Sequence, residues 1–180
     1  GTHPMPDVPD IAVGVARFAG DQQIQVERVG MRLVRLPLKE GFQTSFGRID
    51  SRLIFLVTIE ADGLTGWGEV VAAEQPRYSY ETIGTASHVI RDYLAPELMA
   101  KPVQGLFGLA ARFTQFKGHN MAKAGLELAF MDLVARMHNE SLSELIGGTR
   151  TRLPIGVSLG IQPTLRELLE RVDYYLGLGY

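Results

Sequence analysis

The chain has 180 residues, of which 46% are apolar, and this suits one large domain, or one domain and part of another. Its formal net charge of −2 excludes the basic surface that nucleic-acid binding normally requires, and its lack of cysteine excludes disulfides and agrees with a reducing cytoplasm. No apolar run is long enough to span a membrane, and residues 1–10 do not show the pattern of a secretory signal.

We expect residues 1–23 to form an extended, mobile arm. Three prolines fall within the first nine residues, and aspartates alternate with them. This composition is typical of a terminal segment that lies outside the packed core. Regular structure is expected to begin near Ile24.

Three strands are predicted next, as a small antiparallel meander. Apolar and β-branched residues fill 29–38, 51–61 and 64–72, and Asp62-Gly63 is a tight-turn signal between the last two runs. The second run is apolar on both faces, so both faces are expected to be partly buried. Residues 39–50 are predicted to be a loop longer than a hairpin needs, and long loops on a rigid scaffold are often functional.

Helices are predicted to follow the sheet. Ser79 is the expected N-cap of a helix that runs to about Leu94, because apolar residues recur there at helical spacing. Pro96 is expected to limit or redirect this helix, since proline lacks the backbone N–H group. Residues 103–116 form a weaker predicted helix with two internal glycines.

A third, more apolar helix is predicted over residues 121–137, with Asn120 as its N-cap. It is apolar on almost every side, which is typical of a helix enclosed in the core. Its charged residues form two expected ion pairs at i,i+4 spacing, Lys123 with Glu127 and Asp132 with Arg136.

Residues 151–180 are predicted to form one β/α unit. The strand "LPIGVSLG" is followed by Thr164 and Glu167, which have the spacing of a capping box, and Gly177 is expected to end the helix. The apolar face of this helix should pack on a parallel sheet, yet no later strand is present to form one. The sequence therefore looks truncated, and the missing part is expected to be a repeating β/α structure.

Several isolated residues favour structural roles. His88 and Asp92 are four apart on a predicted helix, which suits two metal ligands, but no third ligand is evident and a solvated face is favoured. Trp67 is predicted to lie in the core, between glycines that let the backbone pass close to it. Glu69 is predicted to form an ion pair at the end of its strand.

Two aromatic loops are the most suggestive candidates for a binding site. Phe42 and Phe46 lie in residues 39–50, and Tyr78 lies in residues 72–82. Both segments leave the same end of neighbouring predicted strands, so they could close over a small ligand as a lid. The alternative is that the aromatics only attach the loops to the domain, and the sequence favours neither interpretation.

Ser158 lies near the carboxyl end of the predicted strand "LPIGVSLG". Its surroundings do not match a nucleophile elbow, and no base partner is identifiable, so a hydrogen-bonding hydroxyl is favoured over a nucleophile. In a β/α barrel, this end of a strand is where binding sites are built.

The order of these elements resembles the enolase superfamily. The segments "LPLKEGFQTSFG", "GWGEVVAAEQPRYSYET", "FKGHNMAKAGLELAFMDLVAR" and "GVSLGIQPT" are similar to the N-acylamino acid racemase / o-succinylbenzoate synthase family of the muconate-lactonizing subgroup. The resemblance implies an α+β capping domain before a modified TIM barrel. Residues 1–23 would then be an arm, 24–150 the capping domain, and 151–180 the first β/α unit of the barrel.

The resemblance also implies a chemistry. A divalent ion, Mg²⁺ or else Mn²⁺ or Co²⁺, holds a substrate carboxylate, and lysines move the α-proton through an enediolate, giving racemisation or a dehydration in menaquinone synthesis. The catalytic lysines and acidic metal ligands of the family match no residue of this chain. The residues that match substrate positions are Phe42, Phe46, Tyr78 and Ser158.

The expected partners are a small carboxylate substrate, the remainder of the barrel and, by analogy with the family, further copies in a cytoplasmic homo-oligomer. We expect these 180 residues alone to be inactive. Three alternatives stay open. One is a dipeptide epimerase or muconate cycloisomerase of the same superfamily, the second is a non-catalytic binding or assembly module that uses the capping fold, and the third is a split enzyme with the rest of the barrel on a second chain.

Overall fold

The computed structural model describes residues 22–180, so the arm predicted for residues 1–23 lies almost wholly outside the described residues. In chain order the strands are β1 (Gln23–Ile24), β2 (Arg28–Thr44), β3 (Gly47–Ala61), β4 (Leu64–Val70) and β5 (Val103–Gln104). The helices are α1 (Ile83–Val89), α2 (Ala95–Met99), α3 (Gly105–Phe113), α4 (Asn120–Met137), α5 (Leu142–Leu145) and α6 (Leu165–Gly177), with a π-helical turn at Ile90–Leu94.

The predicted antiparallel meander is confirmed, in the strand order β2-β3-β4. On β3, Val57 and Ile59 face the helices and are fully buried. Ile54 on the opposite face is also buried, as the apolar pattern on both faces predicts. A short separate ladder pairs β1 with β5, so Ile24 is in regular structure, as predicted.

The prediction of a loop at residues 39–50 is wrong, because most of this segment extends the β2–β3 hairpin. The regular pairing stops at Pro37, which has no N–H to donate, and resumes at Phe42 opposite Ile49. The strands then meet at a tight turn, where the Thr44 hydroxyl accepts from the Phe46 amide at 3.2 Å. Phe42 is therefore on a paired strand, and Phe46 is in the turn.

The first helix begins later than predicted. Thr82, and not Ser79, is its N-cap: the Thr82 hydroxyl accepts from the Thr85 amide, and the Thr85 hydroxyl accepts from the Thr82 amide. The π-helical turn follows α1, with the Ala95 amide donating to the Ile90 carbonyl. Pro96 comes directly after this wide turn, so the helix changes its hydrogen-bonding pattern at the proline and does not end there.

Helix α4 packs directly on β4, as expected for a core helix. The approach needs glycine, because a Cβ atom added at Gly66 would lie 2.1 Å from the Ala129 carbonyl oxygen, and one at Gly68 would lie 2.2 Å from that of Gly125. The glycines do permit a close backbone approach, but the neighbour is α4 and not Trp67. The α4 side chains Leu126, Ala129, Phe130 and Leu133 are fully buried there.

The predicted pair of Asp132 and Arg136 is confirmed. The Arg136 Nε donates to Asp132 Oδ2 at 2.8 Å, and the same oxygen accepts from the Trp67 amide at 2.9 Å. Asp132 therefore joins α4 to β4. The predicted pair of Lys123 with Glu127 does not form, because Lys123 Nζ donates instead to the Phe116 carbonyl at 2.6 Å.

Two predictions on β4 are wrong. Trp67 is 51% exposed, since Gly66, Gly68 and Val70 occupy the buried face and Trp67 alternates to the other. Glu69 is on the same exposed face and has no ion pair with any residue of 22–180. A solvated carboxylate needs no partner, so its position is stable without one.

Residues 149–180 are only loosely joined to the rest. The expected helix α6 forms, with the Thr164 hydroxyl accepting from the Glu167 amide, but none of its residues is buried. The strand predicted at "LPIGVSLG" does not form, because the segment is not paired in a ladder with any strand of the described residues. None of the helices within residues 22–180 combines the length and the apolar character needed to cross a membrane.

Candidate substrate cleft

A cleft of about 750 Å³ separates the β2–β3 hairpin from the segment that leads into α6. The hairpin contributes Lys39, Phe42, Gln43 and Arg48 to its lining. The opposite wall contains Ser158, residues 159–163, Arg171 and Tyr175. This volume falls in the range of small-molecule sites in proteins.

Two contacts hold the walls of the cleft together. The Ile161 amide donates to the Gln43 carbonyl at 3.0 Å. Glu40 forms an ion pair with Arg171 of α6, and this hydrogen bond holds the pKa of the Glu40 carboxyl below its ordinary value. Gly160 lies so close to Gln43 that an added Cβ would be 3.2 Å from backbone atoms. The cleft is therefore formed by hairpin backbone meeting the 158–163 segment.

The lining is cationic. It contains Lys39, Arg48 and Arg171 against a single carboxylate, Glu40, which Arg171 neutralises. Arg48 pairs with Asp50 at 2.9 Å, whereas Lys39 makes no ion pair within residues 22–180. With the Phe42 ring and the Ser158 hydroxyl nearby, the cleft can bind and orient an anion that carries an apolar chain.

The structure brings together some of the predicted site residues. Phe42 and Ser158, which are far apart in sequence, line the same cleft. Phe46 lies at the hairpin tip and is 56% exposed, and Tyr78 is 82% exposed. Neither Phe46 nor Tyr78 is part of the cleft lining.

The second loop, residues 72–82, nevertheless contacts the hairpin. The Arg77 guanidinium donates to the Phe46 carbonyl at 3.1 Å, and Arg35 of β2 pairs with Glu74 at 3.2 Å. These contacts place the two aromatic segments side by side, as a lid would require.

Sequence reasoning missed Glu81. Its carboxylate is 2% exposed and accepts from the Met121 and Ala122 amides at the start of α4. The expected N-cap Asn120 is the first helical residue, and His119 before it gives no side-chain cap. The partners of Glu81 lie about 40 positions away, so no local pattern could have identified them.

No described part of the chain offers a complete metal site. Within residues 22–180 there is no group of three or more His, Asp or Glu side chains arranged to hold an ion. His88 and Asp92 do contact each other at 2.7 Å, but Asp92 is also held by Arg91, which lowers its pKa to about 2. Both side chains lie on a solvated helix face, which is the interpretation that the sequence favoured.

The three-stranded meander and the helices packed on it define an α+β capping domain. Residues 27–147 match the family described as "Mandelate racemase / muconate lactonizing enzyme, N-terminal domain", and the chain belongs to this family within the enolase superfamily. The predicted resemblance is thereby confirmed.

The relatives are enzymes. The chain is 40% identical over 158 residues to o-succinylbenzoate synthase from Geobacillus stearothermophilus, with 87% of this chain and 42% of the relative covered. It is 38% identical over 157 residues to N-succinylamino acid racemase from Amycolatopsis sp., with 87% and 43% covered.

A similar solved structure is that of an enolase-superfamily member from Listeria innocua. Its TM-score is 0.82 at 32% identity, with 87% of this chain and 43% of that chain covered. The chain thus spans less than half the length of the relatives that it matches.

Proposed function

We propose that the chain is the N-terminal part of a divalent-metal-dependent N-acylamino acid racemase or o-succinylbenzoate synthase of the cytoplasm. Such an enzyme removes a proton from the carbon next to a carboxylate and stabilises the resulting enediolate. The proposal is supported by the similarity to an o-succinylbenzoate synthase and an N-succinylamino acid racemase. The observation that carries it is the cleft that joins Phe42 to Ser158.

In this proposal the chain binds substrate and does not perform the proton transfer. Phe42 supplies apolar contact, the Ser158 hydroxyl supplies a hydrogen bond, and the cationic lining favours a carboxylate substrate. Phe46 acts from the tip of the hairpin, and Tyr78 acts from the second loop, which contacts that tip through Arg77.

The described residues do not fit a divalent ion, because the cleft holds one carboxylate and Arg171 already pairs with it. In the complete enzyme the ion would supply charge stabilisation for the enediolate, and its ligands would come from elsewhere. We therefore propose that residues 22–180 provide specificity and that the rest of a barrel provides the metal ligands and catalytic lysines.

The test is steady-state kinetics on the complete protein that contains this chain. We expect Mg²⁺-dependent racemisation of N-succinylamino acids or formation of o-succinylbenzoate, and an increase in KM of about tenfold in Phe42→Ala. Phe107→Ala is the matched control, because Phe107 is 50% exposed on α3 and outside the cleft. Turnover of dipeptides or muconate instead would favour the alternative enzymes. Metal-dependent racemisation by the 180-residue chain alone would contradict the proposed division of labour.

A further inference from the structure

Glu81 is the one charged side chain buried within residues 22–180. Burying a carboxylate is costly unless hydrogen bonds replace its water. Both oxygens are satisfied here: the Met121 amide lies 2.9 Å from Oε1 and 3.0 Å from Oε2, and the Ala122 amide donates to Oε2 at 3.1 Å. The arrangement is therefore a specific one.

Helix α4 needs this carboxylate because its own sequence does not cap it. His119 has a left-handed φ of 55° and offers no side-chain cap to the first turn. The first amides of a helix are unpaired and carry partial positive charge, so an acceptor with negative charge is favoured there. Glu81 reaches this position from a different part of the chain.

The residues on either side of Glu81 also make hydrogen bonds near the starts of helices. The Tyr80 hydroxyl accepts from the His119 amide at 3.1 Å, and Thr82 caps α1. Residues 80–82 thus tie the C-terminal end of the second loop to two helices. At the other end of the loop, the Ile83 amide donates to the Ala73 carbonyl at 3.0 Å.

The loop therefore has a fixed base and an exposed tip. Tyr78 at the tip is 82% exposed, and Arg77 beside it contacts the hairpin through the Phe46 carbonyl. Because the tip of the loop makes so few contacts of its own, its position depends on the contacts at the base of the loop. Of the contacts at the base, only that of Glu81 is both buried and charged.

We propose that Glu81 is a positioning residue for substrate recognition: it holds the second loop, residues 72–82, on the first turn of α4, and so sets where Tyr78 stands relative to the hairpin. The part that concerns substrate rests on the proposed function above. The part that concerns the loop stands on the contacts of Glu81 alone.

The first experiment is residue-resolved hydrogen exchange on the 180-residue chain, comparing Glu81→Gln and Glu81→Asp with the parent. We expect Glu81→Gln to accelerate exchange about 10- to 100-fold at the Met121 and Ala122 amides and in residues 74–80. The glutamine carries no charge, and its NH2 group cannot accept a hydrogen bond from a backbone amide as the second carboxylate oxygen does. The amides of β3 should keep the parent's rates, and Glu81→Asp should recover part of the protection.

The matched control is Thr82→Ala, which removes the cap of α1 one residue away and leaves the Glu81 contacts in place. Acceleration confined to Met121 and Ala122, with residues 74–80 unchanged, would overturn the proposal, because Glu81 would then be only a helix cap. Equal acceleration throughout β2–β4 would also overturn the proposal, because it would indicate a general loss of stability. The same holds if Thr82→Ala accelerates exchange in residues 74–80 to the same extent as Glu81→Gln.

The second experiment is kinetic, on the complete protein. We expect Glu81→Gln to raise KM several-fold with little change in kcat, because the loop contacts substrate and not the reacting atoms. An unchanged KM would overturn the role in recognition. If the parent itself shows no racemase or synthase activity, the proposed function fails, while the exchange experiment still decides whether Glu81 positions the loop.

Discussion

Replacing Gly68 with alanine tests how tightly α4 lies on the sheet. A Cβ atom at Gly68 would stand 2.2 Å from the Gly125 carbonyl oxygen and 2.7 Å from the Ala129 nitrogen. Both obstacles are helix backbone, so relief requires that α4 moves away from β4 as a whole. Overpacking of a core costs about 1–3 kcal/mol, and we expect a loss of about 3 kcal/mol because no flexible side chain can yield.

The measurement is urea unfolding followed by circular dichroism. With a slope of about 2 kcal/mol per molar urea, Gly68→Ala should lower the midpoint by about 1.5 M. Gly84→Ala in α1 is the control, because the nearest atom to its added Cβ is the Thr82 hydroxyl at 3.6 Å, an ordinary contact. Alanine is also the better helix former, so the control should hold or raise the midpoint. An unchanged midpoint in Gly68→Ala would refute the close packing of α4 on β4.

Two further predictions concern carboxylates. Asp132→Ala should lower the free energy of unfolding by about 1–3 kcal/mol, since it leaves the Trp67 amide and Arg136 without their shared acceptor. Asp132→Asn, which keeps a neutral oxygen acceptor, should lose less. Urea unfolding checks both, and an Asp132→Asn variant as stable as the parent would contradict the charge-assisted bond. The Arg91 hydrogen bond holds the pKa of Asp92 at about 2, below its ordinary 3.8, so Asp92 stabilises the fold above that ordinary value and ceases to do so as pH falls through about 2. The difference in melting temperature between the parent and Asp92→Asn should therefore shrink between pH 5 and pH 2, and a constant difference would refute the assignment.

The sheet and the core helix were predictable because their signals are local. Alternating apolar residues identify β3, and an apolar surface on nearly every side identifies α4. The i,i+4 spacing predicted the pair of Asp132 and Arg136 correctly, although the same spacing predicted a pair of Lys123 and Glu127 that does not form. In each case the residues that decide the structure lie within one or two turns of each other.

The position of Trp67 was predicted wrongly, although the alternation of side chains along a strand was sufficient to predict it. Alternation along β4 places Gly66, Gly68 and Val70 on one face and Trp67 on the other. The buried face of β4 was not recognised because two of its positions are glycines, whereas a core position usually carries a large side chain. Here the helix backbone itself fills the space, so the largest side chain of the strand lies outside.

Phe42 and Ser158 were proposed from the sequence as site residues, but the cleft that they share was not predictable. Phe42 and Ser158 line one cleft only because the hairpin extends to Thr44 and its backbone meets Ile161. Glu81 depends on two amides about 40 positions away and has no sequence signal at all. Long-range backbone contacts of this kind follow from the fold and cannot be obtained from spacing.

The ion pair of Glu40 and Arg171 should control how firmly α6 and its preceding segment stay on the hairpin. None of the α6 residues is buried, so this pair and the Ile161–Gln43 hydrogen bond carry the contact. Both side chains are substantially solvated, and pairs of this kind are weak and screened by salt.

In Glu40→Gln we therefore expect exchange of the Ile161 amide to rise only about two- to fivefold at low salt. Raising the salt concentration should bring the parent to the same rate and leave Glu40→Gln unchanged. Glu170→Gln, which breaks an exposed pair within α6, is the control and should behave as the parent. If exchange of the Ile161 amide in the parent does not change with salt concentration, the backbone hydrogen bond alone holds the cleft closed.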